Sequence, residues 1–289
     1  MNSKSKKLKV VVLTHGGCEF LLQSLLKIDL VHVAGVFVET EISPRKYGLR
    51  EQLERSIRYD GYTATVKKVA RLVSGRSSKR ARREREISVD RSELETLTVQ
   101  SGIPLHYLAN YHSEESIDLM KRSNADLGII WGTNILKESV FKIPRLGSIN
   151  IHQGLAPYYR GGPPVFWELY NGQPEVGITV HFVEAKVDTG AIVTQEKVPL
   201  NYDYDYGLDY ESFIADFRKG ISTNCVKLMT EATKMIADGT VQTRQQDISL
   251  GKRYRLPVKQ EKDELRRVLL KRAYDAGRDT YKLMKLKRK

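Results

Sequence analysis

The residues best suited to chemistry lie between Ser148 and Gly162. Ile149 and Ile151 alternate with Asn150 and His152, so in an extended chain both polar side chains share one face of a buried strand. Pro157, Gly161 and Gly162 then force the chain out of the strand and into a loop. An amide beside an imidazole at the carboxyl end of a strand suits an active site in an open α/β sheet. It equally suits a polar strand end hydrogen-bonded into its own loop. A second segment, residues 183–190, joins two alternating apolar runs, 177–182 and 191–200, and carries Asp188 just before Gly190. Asn150, His152 and Asp188 together offer a donor for a developing oxyanion, a titratable base and a carboxylate to orient it.

Asn150-x-His152, the turn Pro157-x-x-Arg160-Gly161 and the loop Val187-Asp188-Thr189-Gly190, in this order, resemble the folate-dependent formyltransferase family over residues 8–240. The chain departs from the usual Leu-Leu-Pro of that turn, having Leu155, Ala156 and Pro157. The resemblance implies an α/β fold with a doubly wound, mostly parallel sheet. It also implies transfer of a formyl group from 10-formyltetrahydrofolate, as co-substrate, to a primary amine without a metal. Asn150, His152 and Asp188 would be the catalytic residues. In the family the segment after the strand at 125–132 walls the pterin pocket, which makes Trp131, Gly132, Ile135 and Leu136, with Val187, candidate folate contacts. Gly16 and Gly17, with Tyr159, Arg160 and Gly161, are candidates for holding the amine. Trp131, Ile135 and Leu136 also read as core, and Gly16–Gly17 also reads as a tight turn. Arg160 and the Gly161–Gly162 turn either shape the pocket or meet a substrate anion. Asp188 is expected to stabilise the imidazolium and to raise the pKa of His152 above that of a free histidine, or else to order a water that relays protons. His15, His32, His106, His112 and His181 read as structural.

The elements that must position these groups are legible as a βα alternation. Residues 9–13 form a β-branched buried run ending in Gly16 and Gly17, and 19–28 a largely apolar helix. A helix opening on a glycine turn can bind an anion, but Gly-x-Gly-x-x-Gly is absent, so a dinucleotide cofactor is unsupported. Residues 31–38 and 103–108 read as strands, 113–122 as a crossover helix and 125–132 as a fully buried strand. Helices are expected at 163–171, with Phe166, Trp167 and Tyr170 along one side, and as one long element at 212–238. Residues 41–100 are too long for a simple connection and read as a basic helical insertion, with helices at 47–59 and 62–73. The catalytic domain is set at 1–241. Residues 242–289 read as a short basic appendage, packed on the sheet or on a partner subunit, whose main helix runs from 261 to 286.

The chain has 289 residues, a formal charge of +13, 40% hydrophobic residues and two cysteines. No apolar run is long enough to span a membrane, and the basic start lacks a signal peptide's core, so a cytoplasmic protein without membrane contact is expected. Cys18 and Cys225 read as reduced, with Cys18 at a helix start where a thiolate would be favoured. The positive charge gathers at 76–85 and from Lys252 onward, which points to an anionic small-molecule amine and leaves nucleic acid or a homodimer as possible partners. An amino sugar carried on a nucleotide, or a related biosynthetic amine, is the favoured acceptor. The alternatives are a methionyl-tRNA or glycinamide ribonucleotide formyltransferase-like enzyme, a formyltetrahydrofolate hydrolase using water, and a non-catalytic nucleotide- or RNA-binding relative.

Overall fold

The computed structural model describes residues 6–40, 48–73 and 93–285. The basic run at 76–85, much of the expected insertion and residues 286–289 lie outside them.

Among the described residues the centre is a seven-stranded sheet. Its strands are β1 (Leu8–Thr14), β2 (Val31–Glu39), β3 (Leu105–Leu108), β4 (Leu127–Trp131), β5 (Ser148–His152), β7 (Glu175–Phe182) and β8 (Ile192–Pro199), in the order β3-β2-β1-β4-β5-β7-β8. The pairs from β3 through β5 are parallel, whereas β5–β7 and β7–β8 are antiparallel. The sheet is therefore the mostly parallel, doubly wound one expected. Strand order reverses between β1 and β4, and crevices at the carboxyl ends of such strands are where ligands bind. A short strand β6 (Tyr159–Gly161) pairs in parallel with β9 (Lys252–Tyr254), away from the main sheet.

Both faces of the central strands are buried, as their near-continuous apolar runs require. On one face α1 (Glu19–Leu25), α4 (residues 93–100) and α9 (Ser222–Ala237) supply Leu21, Leu22, Leu25, Leu94, Leu228 and Met229. The other face is covered by α5 (Glu114–Arg122) and α6 (Glu138–Phe141) through Met120, Val140 and Phe141. Ser113 caps α5 by accepting the Ser116 N–H, with Glu114 and Glu115 in the first turn and Lys121 and Arg122 in the last, all favourable to the helix dipole.

A third core joins α7 (Phe166–Tyr170), α8 (Tyr210–Gly220) and α10 (Lys259–Asp275) through Phe166, Leu169, Tyr210, Phe213, Leu265 and Leu269. The C-terminal helix α10 thus shares a core with α7 and α8. The helical pair α2 (Leu49–Asp60) and α3 (Tyr62–Val73) is tied to α10, where Lys262 Nζ donates to the Tyr59 carbonyl at 2.9 Å.

Three expected helices are corrected. The one at 163–171 starts only at Phe166, because Val165 adopts φ 74 after the two prolines. The one at 212–238 is two, α8 and α9, broken at Ile221, whose side chain is buried in the main core. The one at 261–286 breaks at Gly277, φ 69, and resumes as α11 (Thr280–Lys285).

Candidate active site

Asn150 and His152 leave the carboxyl half of β5, as the alternation with Ile149 and Ile151 dictates. The antiparallel register of β5 on β7 sets His181 directly opposite Asn150 and Thr179 opposite His152. Thr179 pins the loop that follows β5: its Oγ1 donates to the Gly154 carbonyl at 2.7 Å and accepts the Ala156 N–H at 3.2 Å. Gly154 has no room for a side chain, since a Cβ there would lie 2.3 Å from His152 Nε2 and 2.7 Å from the Tyr159 carbonyl oxygen. That closeness lets His152 Nε2–H donate to the Tyr159 carbonyl at 2.8 Å.

Asp188, at φ 54, turns the loop after β7 back toward β5. Its Oδ2 accepts the Gly161 N–H at 2.8 Å and lies 3.5 Å from His152 Nδ1, while Oδ1 lies 3.4 Å from His181 Nε2. His181 Nδ1–H donates to the Phe182 carbonyl at 2.7 Å, so in the neutral ring Nε2 is an acceptor, 3.4 Å from Asn150 Nδ2. His181 was expected to be structural; it bridges Asn150 and Asp188. Only the antiparallel pairing of β5 with β7 reveals this, and sequence spacing carries no sign of it.

The electrostatics follow from these contacts. Burial raises the Asp188 carboxyl, but the His181 and His152 rings, which donate to it and offset its charge in their protonated forms, and the Gly161 N–H outweigh burial and hold the group well below the usual carboxylate range. For His152, burial is the largest effect and pushes the imidazole below its ordinary value; Asp188 and the Tyr159 carbonyl pull it back only in part. The expected rise in the His152 pKa is therefore corrected to a fall. With Nε2–H committed to Tyr159, the neutral ring presents a bare Nδ1 to Asp188, a site ready to take a proton.

These groups face a cavity of about 670 Å³ lined by Asn150, His152, Asp188, His181 and Gly161 on one side. Ile130, Ile135, Leu136, Val183 and Val187 form an apolar stretch with Thr133 and Asn134 beside them, and Tyr59, Arg253, Tyr254, Arg255 and Leu256 complete the lining, Tyr254 lying opposite Gly161 in the β6–β9 pair. Ile135, Leu136, Val187 and Gly161 thus lie at the cavity. Trp131 and Gly132 do not line it; Trp131 Nε1–H instead donates to the Gly17 carbonyl at 2.9 Å and anchors the glycine loop. Gly16 and Gly17 are likewise absent from its lining.

Arg160 is buried, with Nε donating to the Pro157 carbonyl at 3.0 Å and Nη2 to those of Ile248 and Gly251 at 3.2 and 3.4 Å, so it shapes the turn. The Tyr159 ring stacks on Tyr254 at 5.1 Å, outside the cavity lining. Cys18, read as reduced although a helix start could favour its thiolate, is fully buried, and burial pushes its thiol up to about 12. Sequence reasoning missed the wall at 253–256 as well as His181. Gln246 adds a clamp from the same segment, its Nε2 donating to the Asp188 and Gly190 carbonyls at 3.1 and 2.7 Å.

Among the described residues no group of three or more His, Cys, Asp or Glu could hold a metal ion, and no helix is long and apolar enough to cross a membrane.

The model of the family described as formyl transferase matches residues 9–217. A methionyl-tRNA formyltransferase of Azobacteroides pseudotrichonymphae genomovar. CFP2 is 30% identical over 162 residues, 56% of this chain and 48% of that protein. The chain spans about half the length of the curated relatives it matches. Among solved structures, a sugar N-formyltransferase from Shewanella sp FDAARGOS_354 superposes with TM-score 0.52 at 15% identity, covering 86% of this chain and 76% of its own. A phosphoribosylglycinamide formyltransferase from Anaplasma phagocytophilum does so with TM-score 0.51 at 20% identity, covering 84% and 97%. At these identities the likeness speaks for the fold.

Proposed function

The chain belongs to the formyl transferase family, and from that premise we propose that it moves a formyl group from 10-formyltetrahydrofolate to a primary amine. The observation that carries this reading is the meeting of Asn150, His152 and Asp188 at one wall of the cavity, with the bare Nδ1 of His152 facing the Asp188 carboxylate. The residues present fit a folate. A cavity of about 670 Å³ with an apolar stretch of Ile130, Leu136, Val183 and Val187 can take a flat heterocycle. When bound, the co-substrate supplies an activated formyl carbon and a nitrogen leaving group.

The chain's own residues then divide the work. Asn150 Nδ2 carries two N–H donors; with one directed at His181, the other is available to the formyl oxygen as negative charge develops there. His152 Nδ1 would accept a proton from the attacking amine and give it to the departing nitrogen as its bond to the formyl carbon breaks. Asp188 holds the resulting imidazolium beside it, and its own charge is preserved by the Gly161 N–H.

The favoured acceptor is an amine on a phosphorylated carrier such as an amino sugar nucleotide, supported by the aromatic and cationic wall of Tyr59, Arg253 and Tyr254. A second reading, formylation of methionyl-tRNA, is favoured by the names of the curated relatives and by the net charge of +13. The test is incubation with 10-formyltetrahydrofolate and, in parallel, an amino sugar nucleotide, glycinamide ribonucleotide, methionyl-tRNA or water alone. Released tetrahydrofolate is followed by absorbance and the product by mass. Formylated product with any amine supports formyl transfer, and the amine turned over fastest identifies the acceptor; folate release with water alone makes the chain a hydrolase.

A further inference from the structure

Arg253 and Arg255 line the cavity, Arg160 and Lys252 lie on the adjoining β6–β9 pair, and their partners separate the four. Arg255 is engaged by Glu261 through two hydrogen bonds, at 2.8 and 2.9 Å. Lys252 lies over the Tyr254 ring, 4.8 Å from its centre. Arg160 is occupied by carbonyls, as described above. Arg253, exposed on β9, makes no side-chain hydrogen bond or ion pair with any described residue. Its stem runs over Gly161: a Cβ on that glycine would lie 3.1 Å from Arg253 Cγ and 3.6 Å from Nε. Gly161 is the residue whose N–H holds Asp188, so the guanidinium stands beside the reacting centre. Lys186, on the loop after β7, lines the same cavity and is exposed. Of the carboxylates lining the cavity, Asp188 is engaged by Gly161 and the two histidines; Glu184 is exposed, and its Cγ lies 3.4 Å from where a Gly190 Cβ would be.

The other place for an anion in this fold, the glycine turn before α1, is electrostatically unsuited. The helix has seven residues and opens on Glu19, while Glu39 Oε2 bonds His15 Nε2 at 2.8 Å next to the turn. Two carboxylates there oppose a phosphate.

We propose that Arg253, with Lys186 as a second cation, binds the phosphate of the acceptor's carrier in the cavity both residues line, and that the Gly16–Gly17 turn does not. The planar fork of Arg253 matches two phosphate oxygens, which a lysine's point charge cannot reproduce. This rests on the formyl-acceptor reading above.

The probe is inorganic pyrophosphate, titrated calorimetrically into the whole protein. Arg253→Gln is expected to weaken binding about tenfold, with Arg253→Lys recovering part of the loss. His15→Gln, beside the glycine turn, should leave affinity within about twofold, and binding should weaken as salt rises. With a phosphorylated amine the same Arg253→Gln change should raise KM by a similar factor and lower kcat by less, and the KM effect should vanish for the dephosphorylated amine. Arg253 is exposed, and circular dichroism checks that its variants fold. Pyrophosphate affinity unchanged in Arg253→Gln, lost in His15→Gln, or absent from the wild type overturns the proposal. Arg253-dependent binding in a protein that formylates no amine keeps the phosphate site and sinks the formyl-transfer reading. Transfer with a KM indifferent to Arg253 does the reverse.

Discussion

Asp188 receives the Gly161 N–H and stands between two imidazoles, and this sets how the site responds to pH. Because burial holds His152 below its ordinary 6.5, the ring is neutral at neutral pH and kcat/KM should stay level until pH falls below that value. Asp188 raises the His152 pKa, so Asp188→Asn should move the acid limb further down while cutting turnover by about 10²–10⁴. A pH–rate profile on the variant checks both, and an acid limb that moves up contradicts the assignment. The same shifts act on stability. Both groups have depressed folded pKa values, so the stability they contribute is present above the unfolded values, 6.5 for His152 and 3.8 for Asp188, and is lost as pH falls through the folded ones. Melting temperature should therefore drop on acidification from below pH 6.5, earlier than carboxylates alone would cause. Asn150 and His152 were legible because two isoleucines alternate with them. The direction of the His152 shift was not, since it depends on burial by elements distant in sequence.

At the scale of elements, the site depends on the close approach of the loop after β5 to His152 and to β7. Gly154→Ala would drive a methyl group into His152 Nε2 and the Tyr159 carbonyl, displacing the imidazole. Activity should fall by about 10²-fold or more, as expected for a misplaced base, with circular dichroism little changed. Gly190 is still tighter, a Cβ there falling 1.8 Å from the Phe182 carbonyl oxygen, so Gly190→Ala should cost stability as well as activity. Thermal unfolding of the two variants separates these outcomes. The strand alternation and glycine turns of the sheet were readable from residue types. The break between α8 and α9 was not, because apolar periodicity runs through it. Phe213 belongs to the third core and Ile221 to the main one, and a change of packing partner leaves no mark on periodicity. His181 was hidden for a related reason: its role comes from lying opposite Asn150 across two antiparallel strands.

Over the whole molecule, the C-terminal residues reach the candidate site, with 253–256 in the cavity lining. Their basic composition suggested an appendage packed on the sheet or on a partner subunit; Leu265 and Leu269 are fully buried with Phe166 and Tyr210, β9 lies on β6, and Gln246 clamps the Asp188 loop. A three-residue strand pairing across some ninety positions has no local signature, which is why it could not be foreseen. Leu269→Ala should destabilise the fold by about 2–5 kcal/mol, measurable in urea. Such a loss would show the C-terminal helix to be integral; unchanged stability would show it dispensable. The central claim, that Asn150, His152 and Asp188 carry out formyl transfer, is tested most directly with 10-formyltetrahydrofolate bearing a labelled formyl group. Wild type and His152→Ala are compared on the best acceptor of the panel, with folate binding measured on both. The account predicts label in the amine product for the wild type, at least about a hundredfold less for His152→Ala, and similar folate affinity. Equal transfer by both proteins would contradict it.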